Sequence, residues 1–190
     1  MLFVVARKTT VWAVTHRNCG TAANEVKSFA PLLKFTNPHG VRWTKDGFPM
    51  VAEYNRILNF PAAEFFKEGT DAAVIEALGQ GRLIPVEEGS YIHCARVCRV
   101  GNDGMLPASL GQPHNVQPRD KIDLYNKVGI GGMVRTNAFD GSKREVFADG
   151  WLGNETRRYL GRAVDVVNPP DGSILVPHDF AGAVYRFFGF

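Results

Sequence analysis

The chain has 190 residues, with 22 Lys and Arg against 19 Asp and Glu and a formal net charge of +3. Hydrophobic residues make up 45% and charged residues 22%, which excludes long disorder and allows one domain with a sizeable core. A charge of +3 is too small to argue for nucleic acid or an anionic membrane, and twenty Gly with eleven Pro favour short strands and turns over a helical bundle.

In chain order, short apolar or alternating stretches predict strands at Leu2–Ala6, Thr10–Val14, Gly40–Trp43, Phe48–Ala52 and Arg56–Phe60. More follow at Ala95–Val100, Gly132–Arg135, Ala163–Val167, Ser173–Val176 and Ala183–Phe188. One short helix is predicted over 70–79, with Thr70 as cap, Asp71 in the first turn and Gly79 after Leu78. Pro61 to Gly69 has room for a further helical turn. No apolar run reaches the roughly 20 residues of a membrane helix. The apolar Met1–Ala6 is followed, not preceded, by Arg7 and Lys8, so no export signal is expected and the sequence leaves the compartment open. Three cysteines, Cys19, Cys94 and Cys98, cannot all pair internally, which excludes a disulfide scaffold.

A weak internal repeat organises these strands. A strand, then Asp-Gly, then a second strand occurs at Val41/Asp46-Gly47/Met50-Val51, at Val97/Asp103-Gly104/Met105-Leu106 and at Val164/Asp171-Gly172/Ile174–Val176. Asp-Gly supplies the positive-φ residue of a tight hairpin. Hairpins at this spacing point to blades of a β-propeller; three unrelated hairpins in a sandwich are the alternative.

Several stretches resemble the glucose/sorbosone dehydrogenase family of quinoproteins, six-bladed propellers that use pyrroloquinoline quinone (PQQ). They are Asn37–Val41 with Val51–Arg56, His93–Val97 with Asp103-Gly104 and Ser109–Gln112, Gly129–Asn137, and Gly161–Val166 with Asp179–Arg186. The likeness is nearer the sorbosone type than the classical soluble glucose enzyme. It implies an all-β, propeller-like fold of about three to four blades in a single domain over 1–190. Residues 1–150 then correspond to early and middle blades and 151–190 to the final blade. It also implies a PQQ-dependent oxidoreductase acting on a sugar or sugar aldehyde, with His93 as the general base that takes the hydroxyl proton while hydride passes to the quinone. If its segment is a strand, His93 points away from both Cys94 and Arg96.

The chain departs from that pattern in five ways. It is about half the length that six blades need. Met1 falls within what corresponds to an early blade. Trp151-Leu152-Gly153-Asn154 stands where the family has an Arg-Asn pair for the PQQ carboxylates. None of Arg96, Arg135, Arg157, Arg158 and Arg162 matches that clamp. The loop His16–Val26, often an Asp-rich calcium loop in relatives, keeps only Glu25 with Asn18 and Asn24, so calcium is expected to be lost there. Pro49, Pro107 and Pro177 fall in second strands, as on exposed sheet edges, and such edges favour self-association. The expectation is therefore an inactive quinoprotein relative or a non-catalytic propeller remnant.

Other candidates are weaker. His16 with Cys19 offers too few ligands for a transition metal. Cys94 and Cys98 lie about 13 Å apart along a strand, too far for one zinc ion, and suit burial as small apolar residues. His39, His114 and His178 have no partner evident in the sequence. Gly129–Gly132 does not match a dinucleotide fingerprint, and Lys143-Arg144 is too short a basic run for nucleic acid.

Overall fold

The computed structural model describes residues 1–6, 9–16, 21–66, 71–114, 116–151 and 161–189. The chain is an all-β partial propeller of four antiparallel sheets met in sequence order. The first holds β1 (Leu2–Ala6), β2 (Thr10–Thr15) and β3 (Glu25–Phe29). The second holds β4 (Gly40–Trp43), β5 (Pro49–Ala52), β6 (Ile57–Asn59) and β7 (Ile75–Leu78). The third holds β8 (Met105–Ser109), β9 (Met133–Asn137) and β10 (Glu145–Ala148), and the fourth β11 (Ile174–His178) and β12 (Ala183–Phe187). Within each sheet, consecutive strands are hydrogen-bonded neighbours.

The three Asp-Gly repeats are the three hairpins expected. Gly47, Gly104 and Gly172 all take positive φ, between 75° and 82°, where a side chain would be strained. In the last two copies the leading strand is reduced to isolated bridges, Cys98↔Ala108 in one and Ala163↔His178 with Val167↔Leu175 in the other. The prolines explain this. The Pro107 carbonyl accepts from Arg99 N and the Pro177 carbonyl from Val164 N, so each proline turns its missing donor toward that leading segment. Pro107 and Pro177 are therefore not on bare edges, and Pro49 opens an interior strand, its carbonyl accepting from Phe60 N.

The helix expected over 70–79 is not formed: residues 71–74 have no regular structure and Ile75–Leu78 is strand β7. β7 pairs with β6 through Ile57↔Leu78, Leu58↔Glu76 and Asn59↔Ile75, burying Ala77 and Leu78. Burial against a neighbouring strand outweighs the modest helix preference of Ala, Glu and Leu. Thr70 lies outside the described residues. The short turn within Pro61–Gly69 is present as α1 (Ala63–Phe66), and an unexpected helix α2 (Ile122–Val128) ends at Gly129, φ 79°, whose N–H bonds the Tyr125 carbonyl.

Three apolar clusters glue the sheets in series. Val11, Ala13 and Phe29 of the first meet Val51, Leu58 and Phe60 of the second. Met50, Ile57 and Leu78 of the second meet Leu106, Ala108 and Val134 of the third, with Tyr125 of α2. Met133 and Trp151 meet Ile174 and Val176 of the fourth. Polar ties reinforce the middle junction: Asn59 Nδ2 donates to the Ala138 carbonyl at 2.9 Å, and Arg144 donates to Leu83 O and Val128 O.

Candidate functional site

A cavity of about 620 Å³ opens between the leading segments of the third and fourth sheets. His93, Ala95 and Val97 line it from one side, Ser109–Gln112 and Gly131 from its floor, and Gly161–Val164 with Asp179 and Phe180 from the other. That volume suits a small organic ligand.

His93 owes its place to its neighbours in sequence. Cys94, Arg96 and Cys98 are buried while Ala95 is exposed, so residues 94–98 alternate as a strand would, whereas the exposed His93 sits in the bend before them, where strand alternation does not set its side. His93 itself has φ 53°, a left-handed conformation uncommon outside Gly but tolerated by His. Its backbone lies directly on Gly111: a Cβ there would sit 1.9 Å from the His93 carbonyl oxygen. Gly111 is thus a close-approach glycine. Its neighbour Leu110 is clasped to the Gly129–Gly132 turn, donating to Gly132 O and accepting from Gly131 N. The glycine-rich stretch is a structural floor.

Across the cavity Arg162 forms a two-pronged pair with Asp179, Nε to Oδ1 at 3.1 Å and Nη2 to Oδ2 at 2.9 Å. The pair is half exposed at the rim and cancels its own charge. The other arginines lie elsewhere. Arg135 pairs with Asp103 and Glu145 and sits over the Phe147 ring. Arg157 and Arg158 lie outside the described residues. Arg96 is 2% exposed and donates from Nε to Tyr54 O at 2.9 Å and from Nη1 to Ala95 O. Burial pulls its guanidinium down to about 10, with the Cys94 thiol opposing that shift.

The sequence missed the surroundings of Arg96. Asn37 Nδ2 donates to Cys94 Sγ at 2.9 Å, and His39 Nε2 stands 3.9 Å from the same sulfur. Burial and then the Arg96 charge hold the His39 imidazole below its ordinary range. His178, partnerless on paper, is 3% exposed and packs between Trp151 and Tyr185, with ring centroids 4.4 and 4.7 Å away. Glu88 is a buried carboxylate that accepts from Lys121 and from the Tyr125 hydroxyl, bonds that keep it below the usual carboxylate range despite burial, with a smaller electrostatic contribution from His114. Cys98 is fully buried and its thiol is pushed up to about 12 by that burial, the role expected of it.

Among the described residues, no group of three or more His, Cys, Asp or Glu side chains is placed to hold a metal ion. Of the loop once expected to have lost calcium, residues 17–20 lie outside the described residues, and Glu25 opens β3 with Lys27 at 2.9 Å. No helix among the described residues is long and apolar enough to cross a membrane.

No protein-family model and no curated protein matches the chain. Solved structures do. The holo PQQ domain of pyranose dehydrogenase from Coprinopsis cinerea superposes with a TM-score of 0.59 at 13% identity, over 92% of this chain and 40% of that one. The calcium structure of the Trichoderma reesei carbohydrate-active enzymes family AA12 gives 0.59 at 16%, over 92% of this chain and 42% of that one. The chain shares the propeller-like fold of those structures. It spans about two-fifths of the length of those proteins. An inactive H270A virginiamycin B lyase from Staphylococcus aureus follows at 0.51 and 12%, over 95% of this chain and 48% of that one. One fold therefore accompanies unlike chemistries, and the site must carry any claim of function.

PQQ is a tricarboxylate, and its recognition needs cationic forks free to receive it. Among the described residues the cavity offers one arginine, Arg162, and Asp179 already occupies that fork. The described donor set does not fit PQQ.

Proposed function

We propose that this chain is a quinoprotein relative that keeps the sugar side of the site and lacks the quinone side. In this proposal the cavity beside His93 receives a sugar or sugar aldehyde of the sorbosone or glucose type. His93 is the group placed to accept a hydroxyl proton, because imidazole exchanges protons near neutral pH. The Arg162–Asp179 pair offers a donor and an acceptor side by side, the pattern that vicinal hydroxyls take. The observation that carries the proposal is His93 facing a cavity whose one described arginine is neutralised by Asp179. The chain alone is accordingly an inactive oxidoreductase. The fold likeness to a pyranose dehydrogenase PQQ domain supports the sugar class.

Two titrations test this. Saturation-transfer NMR with glucose and with sorbosone should show sugar contact that disappears in Ala95→Trp, which fills the cavity from an exposed position. Isothermal titration with PQQ, with and without calcium, should show no saturable binding. Binding tighter than about 10 μM, roughly 7 kcal/mol, with sugar turnover lost in His93→Ala, would overturn the claim of inactivity. Absence of any sugar contact favours the second reading, a non-catalytic propeller remnant.

A further inference from the structure

Most polar side chains around the cavity are already committed to one another. Arg162 and Asp179 form their two-pronged pair, and Ser109 Oγ accepts from Val97 N at 3.2 Å and donates to Val97 O at 3.4 Å. Gln112 is different. It is 8% exposed, yet its side-chain amide makes no hydrogen bond among the described residues. Its Oε1 lies 3.8 Å from where a Cβ would stand on Gly131, and both residues line the cavity floor. Both also line a second cavity of about 20 Å³, shared with Tyr125 and Trp151, which has room for about one water molecule. A buried amide without partners is unfavourable, and a folded chain that keeps one has a use for it. Its place is set by Gly111, the residue before it, which lies against the His93 backbone. Gln112 therefore stands beside the group placed to take a hydroxyl proton.

We propose that Gln112 is the specificity-determining residue of this cavity, its amide binding the hydroxyl next to the one at His93. This rests on the reading of the cavity as a sugar site. A primary amide offers one carbonyl acceptor and two N–H donors. A hydroxyl both donates and accepts, so neighbouring hydroxyls satisfy both ends of the amide. A carboxylate only accepts, and would leave the Gln112 carbonyl buried and unpaired. The residue accordingly favours a neutral sugar over the corresponding sugar acid.

Two measurements on the full chain test this. By NMR, the Gln112 side-chain N–H signals should shift on titration with glucose and shift far less with gluconate. Gln112→Met keeps the length of the side chain and removes its polar end. It should weaken glucose binding about 10-fold, the loss of roughly one neutral hydrogen bond. Its Tm should hold or rise, because the amide has no partner in the free chain to lose. A merely structural Gln112 would do the reverse, with Tm falling and glucose affinity unchanged. That result overturns the proposal and leaves the sugar reading standing. So does glucose contact that leaves the Gln112 signals unmoved, or an equal response to gluconate. If glucose contacts no residue of the cavity, the sugar reading fails and this inference with it.

Discussion

The Glu53–Arg56 pair invites the sharpest test of how the second sheet is held. Glu53 is fully buried at the β5–β6 turn, where its carboxylate accepts from Arg56 and from Thr36 N at 3.0 Å. Arg56 reaches on to the Lys34 carbonyl at 2.9 Å, and the bond to Glu53 is the main cause raising its guanidinium. Arg56→Ala leaves a buried carboxylate without its countercharge, a loss of about 3–5 kcal/mol. For a domain of this size each kcal/mol moves the midpoint by about 2–4 °C, so Tm should fall by roughly 6–20 °C. Glu53→Gln keeps an acceptor for Thr36 and should cost about 1–3 kcal/mol. Removing both charges in Glu53→Met with Arg56→Met should cost less than Arg56→Ala alone, since no unpaired charge remains. Thermal and urea unfolding followed by circular dichroism would measure all four proteins. A double variant that loses the sum of the single losses refutes the argument that buried charge, not local packing, sets the penalty.

Other consequences follow from named contacts. Gly111→Ala should displace the His93 backbone or lower stability by about 1–3 kcal/mol, seen as a change in the His93 ring signals or in Tm, because its Cβ would overlap the His93 carbonyl oxygen. Gly141→Ala should be at least as harmful, since φ is 66° and its Cβ would stand 2.0 Å from the Ala77 carbonyl oxygen. Burial lowers the folded pKa of His178 below its ordinary 6.5, so the unfolded chain binds that proton first. Stability should be undiminished above pH 6.5, decline as pH falls from 6.5 toward the lowered folded value, and decline no further on this account below it. His178→Phe should flatten that limb of a Tm-against-pH curve, leaving the separate loss below about pH 4.5 that Glu88 adds through its lowered pKa. In the native state Cys98 should resist iodoacetamide at pH 7, with its fully buried thiol held up to about 12; peptide mapping reads this directly.

Much of the fold was legible because its signals are local. Asp46-Gly47, Asp103-Gly104 and Asp171-Gly172 each turn a hairpin, and alternation at Leu2–Ala6 and Thr10–Val14 marks strands whose sides burial then confirms over Leu2–Val5 and Thr10–Val14. The first sheet escaped the repeat because no Asp-Gly joins its strands. β7 was misread because Ala-Ala-Val-Ile-Glu-Ala-Leu has helical composition, and only its pairing with β6 settles the matter. α2 was missed because seven residues with Asp and Asn carry little helical period; Gly129 was its one readable signal. At the site, His93 was singled out by resemblance, but it stands in a bend with φ 53°, so alternation along a strand does not set its side. The Asn37–His39–Cys94–Arg96 cluster was not readable, since it joins residues about 57 positions apart through the packing of two sheets. The Arg162–Asp179 pair spans 17 positions and depends on where β11 ends.

The meander has a consequence for how the chain reaches this state. Within each sheet, every strand pairs with its sequence neighbour, through a hairpin or loop except between β8 and β9, where residues 110–132 carry α2, and sheets contact mainly their sequence neighbours. Loop-closure entropy is then met in small instalments, and each sheet can form on the one just completed. The middle sheets gain a packed neighbour on both sides, and the end sheets on one. Cooperativity should therefore weaken from the middle outward, as in a linear array, with the β1–β3 and β11–β12 sheets opening at lower free energy than the core around Ile57, Leu78 and Leu106.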